Sequence, residues 1–273
     1  MFGHTQSRSG WSKAIAMAEV IYHNAVRDVR KTHNNAVLAI LFNMLQAVIM
    51  LAGFYLFFAV LGVRRAAIRG DFLLYIMSGI FLFMTHIKAV AAISATDGPA
   101  SPMMKHAPMT TTIAIIAAMI STLYVQTISM FTILLLYHVI VTPIVIIDPI
   151  GAFAMYLLAF FTGAAVGILF LAIKPWSPRM CQILSQIYQR ANMIASGKMF
   201  VANTLPSFML AMFDWNPLFH AIDQARGFIF INYNPHNSSL TYPIVVGFVL
   251  LVIGMMGEFV TRKHASASWS ARR

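Results

Sequence analysis

Phe213-Asp-Trp-Asn-Pro-Leu-Phe-His-Ala-Ile-Asp-Gln-Ala-Arg-Gly-Phe-Ile-Phe230 is the stretch on which the reading of this chain turns. It carries Asp214, Asn216, Asp223 and Arg226 among large apolar residues, and it lies between two hydrophobic runs. A lipid-facing helix would not hold four such groups, and a free loop would not hold so many aromatic and aliphatic ones. Half-polar backbone of this kind is tolerated at membrane depth where protein encloses it or where it lines a wet path. The segment predicts a chain that builds an enclosed interior within a bilayer, not a simple anchor.

The composition around it agrees. The chain has 273 residues, of which 59% are hydrophobic and 10% charged, where a soluble domain carries about 25% charged residues. This is the composition of a polytopic membrane protein, with each crossing taking about 20 apolar residues. Nothing between the apolar runs is long enough for a separate soluble domain. The formal net charge of +11 would suggest nucleic acid in a soluble chain. Here most of the basic residues flank the runs, as topology and anionic lipid demand, and no nucleic-acid partner is expected. Cys181 is the single cysteine, so neither an internal disulfide nor a multi-cysteine metal site can form. The first apolar run begins near Ala36. A secretory signal would place its core much earlier, and the N-terminus is expected to be retained.

Residues 11–33 read as a basic amphipathic helix. Trp11, Ile15, Ala18, Tyr22, Ala25 and Val29 share one stripe, and Lys13, His23, Arg27, Arg30 and Lys31 take the other. Such a helix belongs in the membrane interface. Six spans are expected after it: Ala36 to Val63, Phe72 to Ile93, Thr110 to Val139, Ile150 to Ile173, Gln182 to Met212 and Tyr242 to Thr261. The fifth is interrupted by Gly197-Lys198 and Pro206. With both termini cytoplasmic, fourteen Lys and Arg fall inside and four outside, Arg64, Arg65, Arg69 and Arg226. That asymmetry favours an even number of crossings. The chain divides into an N-terminal segment over 1–35, a membrane domain over 36–262 and a tail over 263–273.

Sites of chemistry are sparse. There is no GxxxxGK[ST] phosphate loop. The nine histidines have no metal-ligand spacing, and His86 and His138 read as hydrogen-bonded packing residues. Lys198 has no acid nearby in sequence, so it either faces an aqueous path or pairs with Asp214 or Asp223. Asp223 and Arg226, three apart, either staple a short helix or gate a passing solute. The connection Ser94-Ala-Thr-Asp-Gly-Pro-Ala-Ser-Pro-Met-Met-Lys-His-Ala-Pro108 suits a docking loop for a soluble partner or an ordinary helix hairpin.

Three groups of residues carry a family likeness: Ala25-Val-Arg-Asp-Val-Arg-Lys31 ahead of Ala36-Val-Leu, Ser196-Gly-Lys-Met-Phe200 with Pro206, and Asn216-Pro217-Leu218 followed by Ile222, Arg226 and Gly227. Through them, and over almost its whole length, the chain resembles the membrane subunit of ABC-2 type exporters of capsular polysaccharide or O-antigen. The resemblance implies an all-α permease in the bacterial inner membrane, working as a homodimer with separate ABC ATPase subunits. ATP and Mg would be bound by the partner, so this chain would be neither an enzyme nor the holder of a cofactor. Coupling would fall to Asp97, Gly98 and Pro99. Short re-entrant helices over 203–232 would form an outer gate with Asp214, Asn216, Pro217, Asp223 and Arg226. Lys198, Tyr55, Phe58, Tyr124 and Phe208 are candidates for a conduit whose aromatic faces stack on sugar rings. Periplasmic and outer-membrane export components would be further partners. Lys198, where the family is usually apolar, and the basic Arg64-Arg65 loop depart from the pattern. An ABC-2 permease for a drug or lipid, and a membrane-embedded transferase, are the competing readings.

Overall fold

The computed structural model describes residues 10–31, 35–62, 68, 70–96 and 110–264. Among them the fold is all-helical, with no strand. The helices are α1 (Gly10–Lys31), α2 (Ala36–Val60), α3 (Phe72–Ala95), α4 (Thr111–Ile140), α5 (Pro149–Ile173), α6 (Pro178–Ala195), α7 (Ser207–Phe213), α8 (Pro217–Ile229) and α9 (Thr241–His264). Five of them, α2, α3, α4, α5 and α9, are long and apolar enough to cross a membrane. The chain is a multi-pass α-helical membrane protein.

Helix starts follow from local chemistry. Asp71 accepts from the Leu73 amide, Asp148 from those of Ile150 and Gly151, and Ser177 from that of Met180. Asn216 accepts from the Leu218 amide. Each satisfies a donor that the first turn leaves without an intrahelical partner. In three of these helices proline follows the cap, as Asp148-Pro149, Ser177-Pro178 and Asn216-Pro217. Proline needs no amide partner there, and its φ is already helical.

The core is the pair α3–α5. Every residue of α3 from Leu74 to His86 is buried, the mark of a helix enclosed on all sides. α5 runs parallel to it, touching at Gly163, where an added Cβ would lie 2.5 Å from the carbonyl oxygen of His86. Between helices surrounded by lipid, attraction comes from close packing, and small residues permit it. α9 covers the opposite side of α5, its Gly247 against Phe161 and its Gly254 against Ile168. α2 and α9 present most of their apolar surface outward. Asp71, at the start of α3, and Lys174, at the end of α5, mark the two ends of the bundle.

At the first end, Asp71 joins α3 to the end of α4. Its carboxylate caps α3 and accepts from the hydroxyls of Tyr137 and Thr142 at the end of α4. At the second end, Lys174 donates to the carbonyls of Ala95 and Thr96 and closes α5 onto the end of α3. α1 lies along α4 with Ala25 buried and with Trp11, Ile15 and Tyr22 exposed.

The expected fifth span, 182–212, is not one helix. α6 leaves the Lys174 end and runs back beside α3, with the Cys181 thiol 3.2 Å from the Phe170 carbonyl oxygen and Tyr188 bonded to His86. It stops at Ala195, level with Gly79, whose Cα faces the backbone of Lys198. Gly79 is seven residues into α3, about 10 Å from its start. A turn, a short 3-10 segment over Ala202–Thr204, and α7 take up the rest. The physical reason is composition: α6 is amphipathic with polar Gln182, Gln186, Gln189 and Arg190, and Gly197 at φ +74° ends it.

Two outcomes test this architecture. Gly163→Val should lower stability by about 1–3 kcal/mol through overpacking against backbone, read as the melting temperature of detergent-solubilised protein. Gly53→Ala, with nothing within 4 Å of the added methyl, should change it by less than about 0.5 kcal/mol. The second concerns Asp71. Burial raises its carboxyl pKa, but hydrogen bonds from Tyr137, Leu73, Thr142 and Leu74 outweigh this and hold it below its ordinary value of 3.8. A carboxyl lowered in the folded state contributes stability above its unfolded pKa and loses it as pH falls through the folded value. Acid titration of the melting temperature below about pH 4 should therefore fall more steeply in the wild type than in Asp71→Asn.

Candidate functional site

The polar residues of 192–240 converge on the break between α6 and α8. Where a helix stops inside a bilayer, its last carbonyls lose their intrahelical donors, and no water replaces them. Here side chains do. The Lys198 ammonium donates to the Met193 carbonyl. The Asn216 amide donates to the carbonyl of Ala195 at 2.8 Å and to Oδ1 of Asn192 at 3.0 Å. Arg226 reaches three carbonyls: Nη1 donates to Gly197 at 3.0 Å and Phe200 at 2.7 Å, and Nη2 donates to Lys198 at 2.8 Å.

Aromatic faces shield both cations. The Arg226 guanidinium lies 4.3 Å from the Tyr75 ring centre, and the Lys198 ammonium 3.6 Å from that of Phe83. Cation–π attraction strengthens as such a pair is desolvated. Arg226 is 1% exposed and Lys198 3%. Cations at the carboxyl end of α6 also oppose the negative end of its dipole.

α8 grips a second partner with another part of its surface. Asp223 accepts from the hydroxyls of Tyr233 and Ser238. Gln224 donates to the carbonyl and hydroxyl oxygens of Ser238. His220 donates from Nε2 to the Asp214 carbonyl at 2.6 Å and accepts at Nδ1 from the Ser239 amide at 3.1 Å. Those partners fix one neutral tautomer. Burial and the Asp223 carboxylate push the Tyr233 phenol well above its ordinary pKa, so it stays a donor. α8 thereby ties the break on one side to the loop before α9 on the other. Its end pairs with the α4–α5 connection, where the Asp148 amide donates to the Phe228 carbonyl at 2.9 Å.

The structure brings Asn216, Pro217, Asp223, Arg226 and Lys198 together, in roles different from those expected. Asp223 and Arg226 do not staple α8: each takes other partners. Lys198 pairs with neither Asp214 nor Asp223: its ammonium bonds the Met193 carbonyl and lies over Phe54 and Phe83. Asp214 is exposed and contributes its carbonyl to His220. Among the described residues the candidate conduit aromatics are not brought together. Tyr55, Tyr124 and Phe208 are exposed on α2, α4 and α7, and Phe58 packs on Phe72. Asp97, Gly98 and Pro99 lie outside the described residues, as do Arg64 and Arg65.

Residues missed by sequence reasoning are His220, Gln224, Tyr233, Ser238 and Asn192. Their signal was available: Asn216-Pro217 opens a helix, and its polar positions 220, 223 and 224 face one short loop. His86 is fully buried, bonded to Ala159, Thr162 and Tyr188, as a packing histidine should be. Among the described residues no group of three His, Cys, Asp or Glu is placed to hold a metal ion. Compared with known protein families and with characterised proteins, the chain matches none.

Arg226→Met should destabilise the fold by about 3 kcal/mol or more, since it strands three acceptors bonded to a charged donor. Lys198→Met, which strands one, should lose about 1–2 kcal/mol. Melting temperature ranks the two, and hydrogen exchange should rise over 196–204 in Arg226→Met. Equal effects of the two changes would refute the capping role of Arg226.

Proposed function

We propose that this chain is the membrane subunit of an ATP-driven ABC-2 type exporter that moves a glycan, a capsular polysaccharide or lipid-linked chain, across the bacterial inner membrane. One observation carries the reading. Between α6, which stops at Ala195, and α9 stand two short helices, α7 of 7 residues and α8 of 13, each too short to cross a bilayer, and the end of α8 bonds the α4–α5 connection. Such a pair suits the mouth of a pore, where a seal must open for a solute and close against water. A simple anchor or scaffold has no use for it.

In this reading α6 with residues 196–204 is a sixth, broken crossing, and both termini are cytoplasmic. The Asp71 end faces outward and carries the gate. Two copies pair, and their conduit forms between them from outward-facing aromatics such as Tyr55, Tyr124 and Phe208. A hydroxyl-rich polymer needs many weak contacts there, each easily released. Separate ATPase subunits, binding ATP and Mg, dock on the 94–108 connection and bias the dimer between states through differential contacts. Periplasmic and outer-membrane components would receive the polymer.

The test is genetic and chemical. Disruption of the gene should abolish long-chain glycan at the cell surface while the same glycan accumulates inside. Surface loss without accumulation would instead support a transferase, and no change in either pool would sink the glycan assignment. Replacing Asp97-Gly98-Pro99 by alanines should give the same accumulation with normal membrane insertion. Retained export in that variant would remove the coupling role from this connection.

A further inference from the structure

A second polar feature lies away from the break. At the Lys174 end, α1, α2, α3 and α4 enclose a cavity of about 510 Å³, within the 300–1,000 Å³ typical of ligand sites. Its floor is a buried amide chain. Gln126 donates to Asn43 Oδ1 at 2.8 Å, and Asn43 donates to the Ser129 hydroxyl at 2.9 Å. Gln126 and Asn43 are 7% and 8% exposed. On its wall the Lys88 ammonium donates to Oε1 of Gln46 at 2.7 Å. Arg27 and Asp28 of α1 stand at the edge. Among the described residues the lining carries two cations, Arg27 and Lys88, and one carboxylate, Asp28.

Lys88 is the informative residue. It sits seven residues before the end of α3, about 10 Å from that end. A charge at this depth requires a partner or a wet path, and its position is a functional signal. Its hydrogen bond goes to a neutral amide, and among the described residues no carboxylate lies within 4 Å of it. Among the described residues the ammonium bonds Gln46 alone, which leaves two further donors for a ligand. The adjacent Gln46 side chain, accepting through Oε1, leaves its own N–H groups for the same ligand.

The surroundings identify the ligand's class. Trp11, Ile15 and Tyr22 are 83%, 67% and 65% exposed on α1, and an amphipathic helix with such a face lies at headgroup level. Phe42, at the cavity wall, is itself half exposed, and Leu38, Leu41 and Leu45 continue an outward apolar face on α2. The site thus combines donors and positive charge with a lateral apolar surface. We infer that this cavity takes the phosphate headgroup of an anionic membrane lipid, held by Lys88 and Gln46 with Arg27 above, while the acyl chains lie along α2. A soluble phosphate compound would meet the same donors but would make no use of the α2 face.

Full-length protein in phosphatidylcholine nanodiscs doped with phosphatidylglycerol provides the test, with retained lipid counted by native mass spectrometry. Lys88→Met should reduce retained phosphatidylglycerol about tenfold, the worth of one hydrogen bond to a charged group, while Lys88→Arg should keep most of it. Ala114→Leu, which leaves every charge in place and fills space at the wall, should reduce it too. Arg190→Gln, an exposed cation on α6, serves as the control for lost net charge and should change it less than twofold. Wild-type retention in Lys88→Met, or an equal loss in Arg190→Gln, would overturn the site. Inorganic phosphate and glycerol phosphate separate the sources. Failure of either to displace the lipid supports the headgroup, whereas Lys88-dependent displacement at low concentration would assign the same phosphate chemistry to a soluble ligand.

Discussion

The backbone of α5 meets the backbone of α3 at Gly163, and the rest of the molecule depends on that approach. Lipid tails are as apolar as leucine, so two helices gain by associating in a bilayer only through fit. Gly163, Ala164 and Gly167 give α5 a thin face, and His86, Val90 and Ile93 of α3 lie against it. With α3 fixed inside, its remaining sides become available to less regular structure. His86 offers Nε2 to Tyr188 of α6. Tyr75 and Phe83 offer rings to Arg226 and Lys198. An irregular segment can exist at membrane depth here because a rigid, fully enclosed helix stands behind it.

That segment changes how its polar residues are understood. Lys198, Asn216 and Arg226 would each be a natural choice for a residue that touches a solute, since charge and amide groups inside a bilayer mark ion and substrate paths. In the folded chain their hydrogen bonds are committed to carbonyls left by the end of α6. They make the break possible. Any solute contact at this end would come from groups facing outward, such as Trp215 and Phe208. Moving α8 away from α6 would strand several carbonyls at once.

Much of the fold was legible in the sequence. The runs that became α2, α3, α4, α5 and α9 exceed the length of a crossing and carry few charges, so hydropathy alone places them within a few residues. The amphipathic α1 was legible from its 3.6-residue period. The segment 182–212 was not, because its apolar content suggests a span while its glutamines, Gly197 and Pro206 argue against a continuous one. Periodicity cannot decide between them, since the outcome depends on whether α3 supplies partners for the broken backbone. The identity of the polar cluster was legible and its wiring was not. Spacing of three on a helix suggests that Asp223 meets Arg226, yet spacing says nothing of carbonyls almost thirty residues earlier that need donors more.

Charge placement at the break follows from this competition. The carboxyl end of α6 presents carbonyl oxygens and the negative end of a dipole, so only donors are stable against it, and a cation best of all. Had Arg226 turned to Asp223, the carbonyls of Gly197, Lys198 and Phe200 would have been left in an apolar interior, each unmet acceptor costing about 1–3 kcal/mol. One intrahelical pair could not offset three such losses. Asp223 is therefore free to accept from Tyr233 and Ser238 in the loop before α9. The acid and the base of α8 stay apart because the acid meets hydroxyl donors of the loop and the base meets backbone carbonyls. The sequence Asp-Gln-Ala-Arg over 223–226 is thus a two-sided fastener, with the acid for the loop before α9 and the base for the end of α6.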